Sequence, residues 1–237
     1  MSYRLNEKIR NLEPYDPIQG RYPVRLNANE SFLRPPAALL AKIGDAVASV
    51  AFNRYPDPLA RELCESFAGY YGVDPKRVTA GNGSDELISV IENAFLRKGE
   101  TVVTLSPDFS MYRFYGGLNE TNLVEYHKNP DFSIDVEELA ALVKKSGARL
   151  LIFSNPCNPT GGGISREKMR RLIRSVGALV VLDEAYMDFW DQSMLGETEN
   201  FDNLIVLRTL SKAFGMASLR LGFAAANPVL TNALRAV

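Results

Sequence analysis

Lys212 stands between two apolar segments, Asn203-Leu-Ile-Val-Leu207 and Leu221-Gly-Phe-Ala-Ala225, with Ser211 before it and Arg220 after it. A lysine in such a place most often reaches out to solvent, because burying an ammonium is costly. The sharper alternative is an amine desolvated beside a second cation. Both effects lower its pKa, as a Schiff-base nucleophile requires. Asp183 follows the most hydrophobic segment, Ala178-Leu-Val-Val-Leu182. A carboxylate just past a buried parallel strand lies where open α/β sheets meet their ligands, although a loop or cap carboxylate explains it equally when taken alone. Gly81-Asn-Gly-Ser-Asp-Glu86 precedes a helical stretch, so the turn at Gly83, Ser84 and Asp85 can present free N–H groups to a phosphate. A tight turn capped by Ser84 or Asp85 accounts for the same residues. It is neither a dinucleotide fingerprint nor a Walker loop.

The elements that must position these groups follow from periodicity. Helical spacing covers 36–50 (through Leu39, Leu40, Ile43 and Val47), 59–71 closed by Gly72, 87–96, 108–115, 135–145 and 165–176. Short apolar runs at 77–80, 101–105, 123–126, 149–153, 178–182, 203–207 and 221–225 read as strands. This alternation predicts an α/β protein with a largely parallel sheet. Residues 1–36 read as an arm, with Pro14, Pro17, Pro23, Pro35 and Pro36 breaking any helix. Within it, Leu26-Asn-Ala-Asn-Glu30 reads as a turn held by Asn side chains. Ser154-Asn-Pro-Cys-Asn-Pro-Thr-Gly-Gly-Gly163 is a long irregular turn. The aromatic residues Phe109, Tyr112 and Phe114 are expected in the core, with stacking on a planar ligand as the alternative. Phe189 and Trp190 are assigned to packing.

Composition narrows the function. Lys+Arg 27 against Asp+Glu 28 leaves a net charge of -1, which gives no electrostatic case for nucleic acid or an anionic membrane. The N-terminus shows no apolar signal region and no apolar run spans a bilayer, so the expected compartment is the cytoplasm. Cys64 and Cys157 suggest neither a disulfide framework nor a metal site. His127 is the sole histidine, which argues against a His base or a His-ligated metal.

One chemistry uses the whole set. Pyridoxal phosphate needs a lysine for its aldehyde, an acid for its ring nitrogen, an aromatic plate, and hydroxyls, an arginine and a helix start for its phosphate. Lys212, Asp183, Phe109, Ser211, Arg220 and the Gly83-Ser-Asp start supply these.

From about Arg10 to Val237 the sequence resembles the class I/II aminotransferases of fold type I, and within them the histidinol-phosphate branch. Leu26-Asn-Ala-Asn-Glu30, Asn53-Arg-Tyr-Pro56, Gly81-Asn-Gly-Ser-Asp-Glu86, Asn158-Pro-Thr-Gly161, Asp183-Glu-Ala-Tyr186 and Arg208-Thr-Leu-Ser-Lys-Ala-Phe214 occur in the expected order. The resemblance implies a homodimer of pyridoxal-phosphate enzymes, with residues 37–237 as the cofactor-binding large domain. Lys212 would carry the cofactor and shuttle the proton, and Asp183 would keep the pyridinium protonated. Asn158 and Tyr186 would address the phenolic oxygen. Ser84, Ser211 and Arg220 would hold the phosphate, Phe109 would stack, and Tyr55 would reach the other subunit's cofactor. Asn29 and Glu30 would shape the substrate pocket. The implied reaction transfers an amino group between histidinol phosphate and 2-oxoglutarate. Phosphothreonine decarboxylation, other amino-acid transaminations and a non-catalytic cofactor-binding or dimerisation role remain open, while a DNA-binding regulator lacks its module. Two departures accompany the resemblance. Phe109 stands where a tyrosine is common. The family's C-terminal small domain, with its substrate-gripping arginine, has no counterpart before Val237, so weak turnover is expected of the chain as it stands.

Overall fold

A computed structural model of the protein describes residues 3–10, 12, 18 and 20–237. Pro14 and Pro17, two of the expected helix breakers, lie outside the described residues. In chain order the elements are α1 (Glu7–Arg10), α2 (Ala37–Ser49), α3 (Arg61–Tyr71), β1 (Val78–Asn82), α4 (Ser84–Phe95), β2 (Thr101–Ser106), α5 (Met111–Leu118), β3 (Asn122–His127), α6 (Val136–Lys145), β4 (Leu150–Ser154), α7 (Arg166–Ser175), β5 (Leu179–Asp183), β6 (Leu204–Thr209), β7 (Leu221–Ala226) and α8 (Pro228–Arg235). The strands form one 7-stranded sheet in the order β1-β7-β6-β5-β4-β2-β3. The neighbours from β6 through β3 pair in parallel, while β7 runs antiparallel to both β1 and β6. The class is α/β, as the alternation predicts.

The central strands β4, β5 and β6 are apolar up to their C-terminal ends because helices cover both faces. Leu151, Phe153, Val180, Leu182 and Val206 face α3, α6 and α7. Leu150, Ile152, Val181, Ile205 and Leu207 face α4, α5 and α8. The period-two alternation of the pleat thus divides continuous hydrophobic runs between two cores. Parallel pairing brings the C-terminal ends of β2, β4, β5 and β6 to one edge. The antiparallel β7 begins at that same edge, so its first residues meet the end of β1, with Leu221 opposite Asn82.

Several local expectations need correction. The arm contains the short helix α1 despite its prolines. Helix α2 forms at the spacing expected, yet buries none of its residues. Helix α4 starts at Ser84 rather than Leu87, and neither Ser84 nor Asp85 caps it. Gly83 is the N-cap, and Glu86 reaches back to the N–H of Asn82 at 2.6 Å and to its side-chain amide at 3.0 Å. That carboxylate fixes the turn before the helix and leaves the first N–H groups of α4 without a side-chain cap. Helix α5 starts at Met111 instead of 108, because the Asp108 carboxylate turns inward and binds the backbone of Phe109. Phe114 is 40% exposed, whereas Tyr112 is fully buried. Helix α8 lies beyond the elements expected from periodicity; the Asn227 side chain accepts from the N–H groups of Val229 and Leu230, and Pro228 occupies the first turn.

Candidate functional site

The β6–β7 connection carries Ser211, Lys212 and Arg220. It is an irregular turn with one short 3-10 helix, Ala217–Leu219, rather than an α-helix. Gly215, at φ 64, closes a turn by donating to Lys212 O at 3.1 Å, and the Met216 N–H returns to Leu210 O at 3.0 Å. Lys212 is half-buried, and its Nζ donates to Ala28 O of the arm at 2.8 Å. Burial lowers its pKa. Asp183 and Glu30 oppose that shift, and Arg220 adds to it. The desolvated-amine reading therefore gains over the solvent-exposed one, with burial rather than Arg220 as the chief cause.

Asp183 ends β5 at 4% exposure. Its Oδ2 accepts from the Tyr112 hydroxyl at 2.9 Å and its Oδ1 from the Ala185 N–H at 3.0 Å. Burial pushes its pKa up, while Tyr112, Ala185 N–H and Lys212 pull it back. Tyr112 remains a phenol, its own pKa raised by burial and by Asp183.

Asn158 and Tyr186 are brought together by a third residue. The Asn29 amide donates to Asn158 Oδ1 at 3.1 Å and to Tyr186 Oη at 3.0 Å. Asn29 sits at φ 51, a left-handed conformation that Asn tolerates better than most residues. Glu30 beside it pairs with Arg25 at 3.4 Å. These two arm residues thus reach the same edge as Lys212.

Close backbone approach builds a cradle at the start of α4. A Cβ on Gly83 would lie 2.8 Å from Arg220 Nη2, and one on Gly222 would lie 2.2 Å from Ser84 N. The glycines therefore let the Gly83–Ser84 turn pack on β7 with the Arg220 guanidinium beside it. Arg220 itself is left-handed at φ 51. Ser211 is tied to Thr209, whose hydroxyl lies 3.0 Å from Ser211 Oγ and accepts the Ser211 N–H at 3.2 Å. Such a guanidinium, a helix start and a hydroxyl together suit a dianion. Asp85 points elsewhere, accepting from the Tyr115 hydroxyl at 3.0 Å, although its charge is felt by Asp183. Phe109 packs edge-on to Tyr112, with centroids 5.6 Å apart. Tyr55 is fully exposed and touches none of these groups within the chain.

A cavity of about 440 Å³ opens beside Asn29, Asn158 and Tyr186. Trp190 and Phe189 form its outer wall, and they are 37% and 71% exposed. Trp190 lies against Gly163, where a Cβ would come within 2.4 Å of the indole.

The sequence pattern of the aminotransferase class I and II family matches residues 22–237. The chain belongs to the class I and II aminotransferases. Among relatives in that family, histidinol-phosphate aminotransferase of Clostridium novyi (strain NT) is 42% identical over 97% of this chain and 64% of its own length. That of Caldanaerobacter subterraneus subsp. tengcongensis is 40% identical over 98% of this chain and 66% of its own length. The chain thus spans less than two thirds of the length of these aminotransferases. In three dimensions it is similar to histidinol-phosphate aminotransferase from Sinorhizobium meliloti in complex with pyridoxal-5'-phosphate, with a TM-score of 0.81 and 29% identity over 89% of this chain and 58% of that one.

Three participants escaped the sequence reading. Tyr112 read as a core aromatic, and it is one, but its hydroxyl holds Asp183. Asp108 figured only as the start of a helical stretch and Lys128 was not singled out, yet both side chains are only 1% exposed. A lone charge beside an apolar run carries no sign of burial until the strand order is known.

Proposed function

We propose that this chain is the pyridoxal-phosphate-binding part of an aminotransferase that exchanges the amino group of histidinol phosphate with 2-oxoglutarate. The observation that carries the reading is the convergence of Lys212, Asp183, the Asn158–Tyr186 pair and the Gly83–Ser84–Arg220 cradle on one sheet edge. The donor set fits the cofactor. The cradle can take a phosphate, Asp183 can face a cationic ring nitrogen, and Lys212 can supply an uncharged amine. The two relatives at 42% and 40% identity support the substrate.

When bound, the cofactor supplies an electron sink for the bonds at the substrate Cα. The chain's own residues do the rest. Ser84, Ser211, Arg220 and the N–H groups at the start of α4 bind the phosphate, with Gly83 and Asp85 in the same turn. Asp183 holds a proton on the ring nitrogen by charge, and Tyr112 holds Asp183. Asn158 and Tyr186 orient the phenolic oxygen, and Phe109 covers a ring face. Lys212 Nζ removes and returns the proton at the substrate Cα. Burial lowers its pKa, toward the uncharged form that this requires. Asn29 and Glu30 border the substrate cavity.

We further propose an arm at 1–36 and one cofactor domain at 37–237, with Tyr55 serving the partner subunit's site in a homodimer. The exposure of Tyr55 supports that role. Both cysteines are free and buried, which suits the reducing cytoplasm. Among the described residues no helix is long and apolar enough to cross a membrane.

The test is an absorbance titration of the purified protein with pyridoxal phosphate, followed by histidinol phosphate, phosphothreonine and glutamate in turn. A visible band that histidinol phosphate and glutamate bleach supports the proposal. A response to phosphothreonine alone would move the assignment to a decarboxylase, and no band at all would end it.

A further inference from the structure

The ends of β4, β2 and β3 lie side by side in the sheet, and a buried charge pair spans them. Lys128, just past β3, places Nζ 3.8 Å from Oδ2 of Asp108, which follows β2, and each side chain is 1% exposed. The same Nζ donates to Pro107 O at 2.8 Å and to Cys157 Sγ at 2.7 Å. Asp108 Oδ1 accepts the Phe109 N–H at 2.7 Å and the Ser154 hydroxyl, and Oδ2 accepts the Ser154 N–H at 3.3 Å. Ser154 Oγ in turn accepts the Asn158 N–H at 3.1 Å.

A buried ion pair adds little stability over apolar residues of the same size, because both charges lose their water. The Asp108 carboxyl bears that cost. Burial raises its pKa to about 6, against Ser154, the Phe109 N–H and Lys128. What such a network adds is fixed geometry. Here its two ends touch the two loops that carry Phe109 and Asn158.

We propose that Lys128, Asp108 and Ser154 form one clamp that holds Phe109 and Asn158 in a fixed relation, so that the stacking ring and the amide addressing the phenolic oxygen are set together. This rests on the cofactor reading above. The three are positioning residues, acting through the backbones of Phe109 and Asn158. The path runs from the edge strand β3, across the end of β2, into the loop after β4. Each link is a hydrogen bond or an ion pair, buried or partly buried.

The experiment begins with cofactor-free protein and Ser154→Ala, which removes one oxygen. Hydrogen exchange in peptides covering 106–111 and 154–163 is expected to rise together, about three- to tenfold, with β5 unchanged. The paired substitution Lys128→Met with Asp108→Asn removes both charges at once and should loosen the same two peptides. With pyridoxal phosphate bound, Ser154→Ala should shift the pH midpoint of the visible band in the direction that Asn158→Ala does. In an Asn158→Ala background it should shift nothing further. Loosening of one loop alone, or an additive shift in the double variant, overturns the clamp. Failure of the unsubstituted protein to take up pyridoxal phosphate overturns the functional assignment, while the exchange measurements still decide whether the two loops are tied.

Discussion

Tyr112→Phe isolates what holds the buried acid. The substitution leaves the ring in place and removes only the hydroxyl that donates to Asp183 Oδ2 at 2.9 Å. Tyr112 is 0% exposed, so no bulk water takes over the lost bond, and the ring opens no cavity. A hydrogen bond to a charged acceptor is worth about 1.5–3 kcal/mol. Its loss favours the neutral acid, in the direction burial already pushes Asp183. A neutral Asp183 cannot pair with a protonated ring nitrogen. Affinity for pyridoxal phosphate should therefore fall about 10- to 100-fold at neutral pH. The sign of the pH dependence follows. Raising the pH ionises Asp183 again, so the deficit should shrink as pH rises and widen as it falls. The assay is a fluorescence titration across pH, alongside urea unfolding. Tyr126→Phe serves as the control, since that buried hydroxyl only accepts the Asp135 N–H, far from Asp183 in the sheet. Equal affinity in Tyr112→Phe and the unsubstituted protein across pH would refute the argument that Tyr112 governs the charge of Asp183.

Gly222→Ala should cost about 3 kcal/mol in urea unfolding and weaken phosphate binding, because its Cβ meets the backbone of Gly83 and Ser84 at 2.2–2.3 Å; a loss within 0.5 kcal/mol, on the order of a surface change, would contradict the cradle. Glu92 is fully buried and its carboxyl is raised to about 8 by burial, so it binds a proton more tightly in the folded state than in the unfolded. Stability should therefore fall as pH rises from about 4.5 to about 8, and Glu92→Gln should flatten that slope and gain on the order of a few kcal/mol at the alkaline end, as read from unfolding midpoints against pH. Borohydride reduction with pyridoxal phosphate should label Lys212, and a labelled peptide carrying Lys98, Lys128 or Lys168 instead would remove Lys212 from its role.

Strand positions were legible because runs such as 150–153 and 178–182 are apolar at every position, which a doubly covered strand favours. Asp183 was legible because a carboxylate directly follows such a run, and Lys212 because it stands between two apolar segments beside Arg220, whereas Asn158 was legible only through the resemblance to the aminotransferase family. Tyr112 was not, since a buried aromatic satisfies the packing pattern whether or not its hydroxyl has a partner. Its meaning depends on β2 and β5 both flanking β4, an order that periodicity does not encode. Helix α2 shows the opposite failure. Its apolar spacing was read correctly as helical, yet spacing says nothing about whether a partner surface lies within the same described body. The start of α4 was misplaced because Ser84 and Asp85 are ordinary cap residues, and the carboxylate that closes the turn is Glu86, one residue further on.

The position of β1 has a consequence for how the chain assembles. Among the described residues β1 is an edge strand paired with β7 alone, so Val78 must wait for Ala225. On a chain emerging from the ribosome, β2 through β6 can pair while β1 has no strand to join. β6 and β7 follow each other closely and can close as a hairpin, whereas β1 joins through the longest loop closure in the sheet. The Gly83–Ser84 turn rests on Gly222, so the phosphate cradle cannot exist before that last strand arrives. Pulse-labelled hydrogen exchange during refolding should show β1 gaining protection together with β7, and the capacity to bind a phosphate appearing in the same phase. The anion site would then report completion of the sheet, late and all at once, rather than growing in with the helix that bears it.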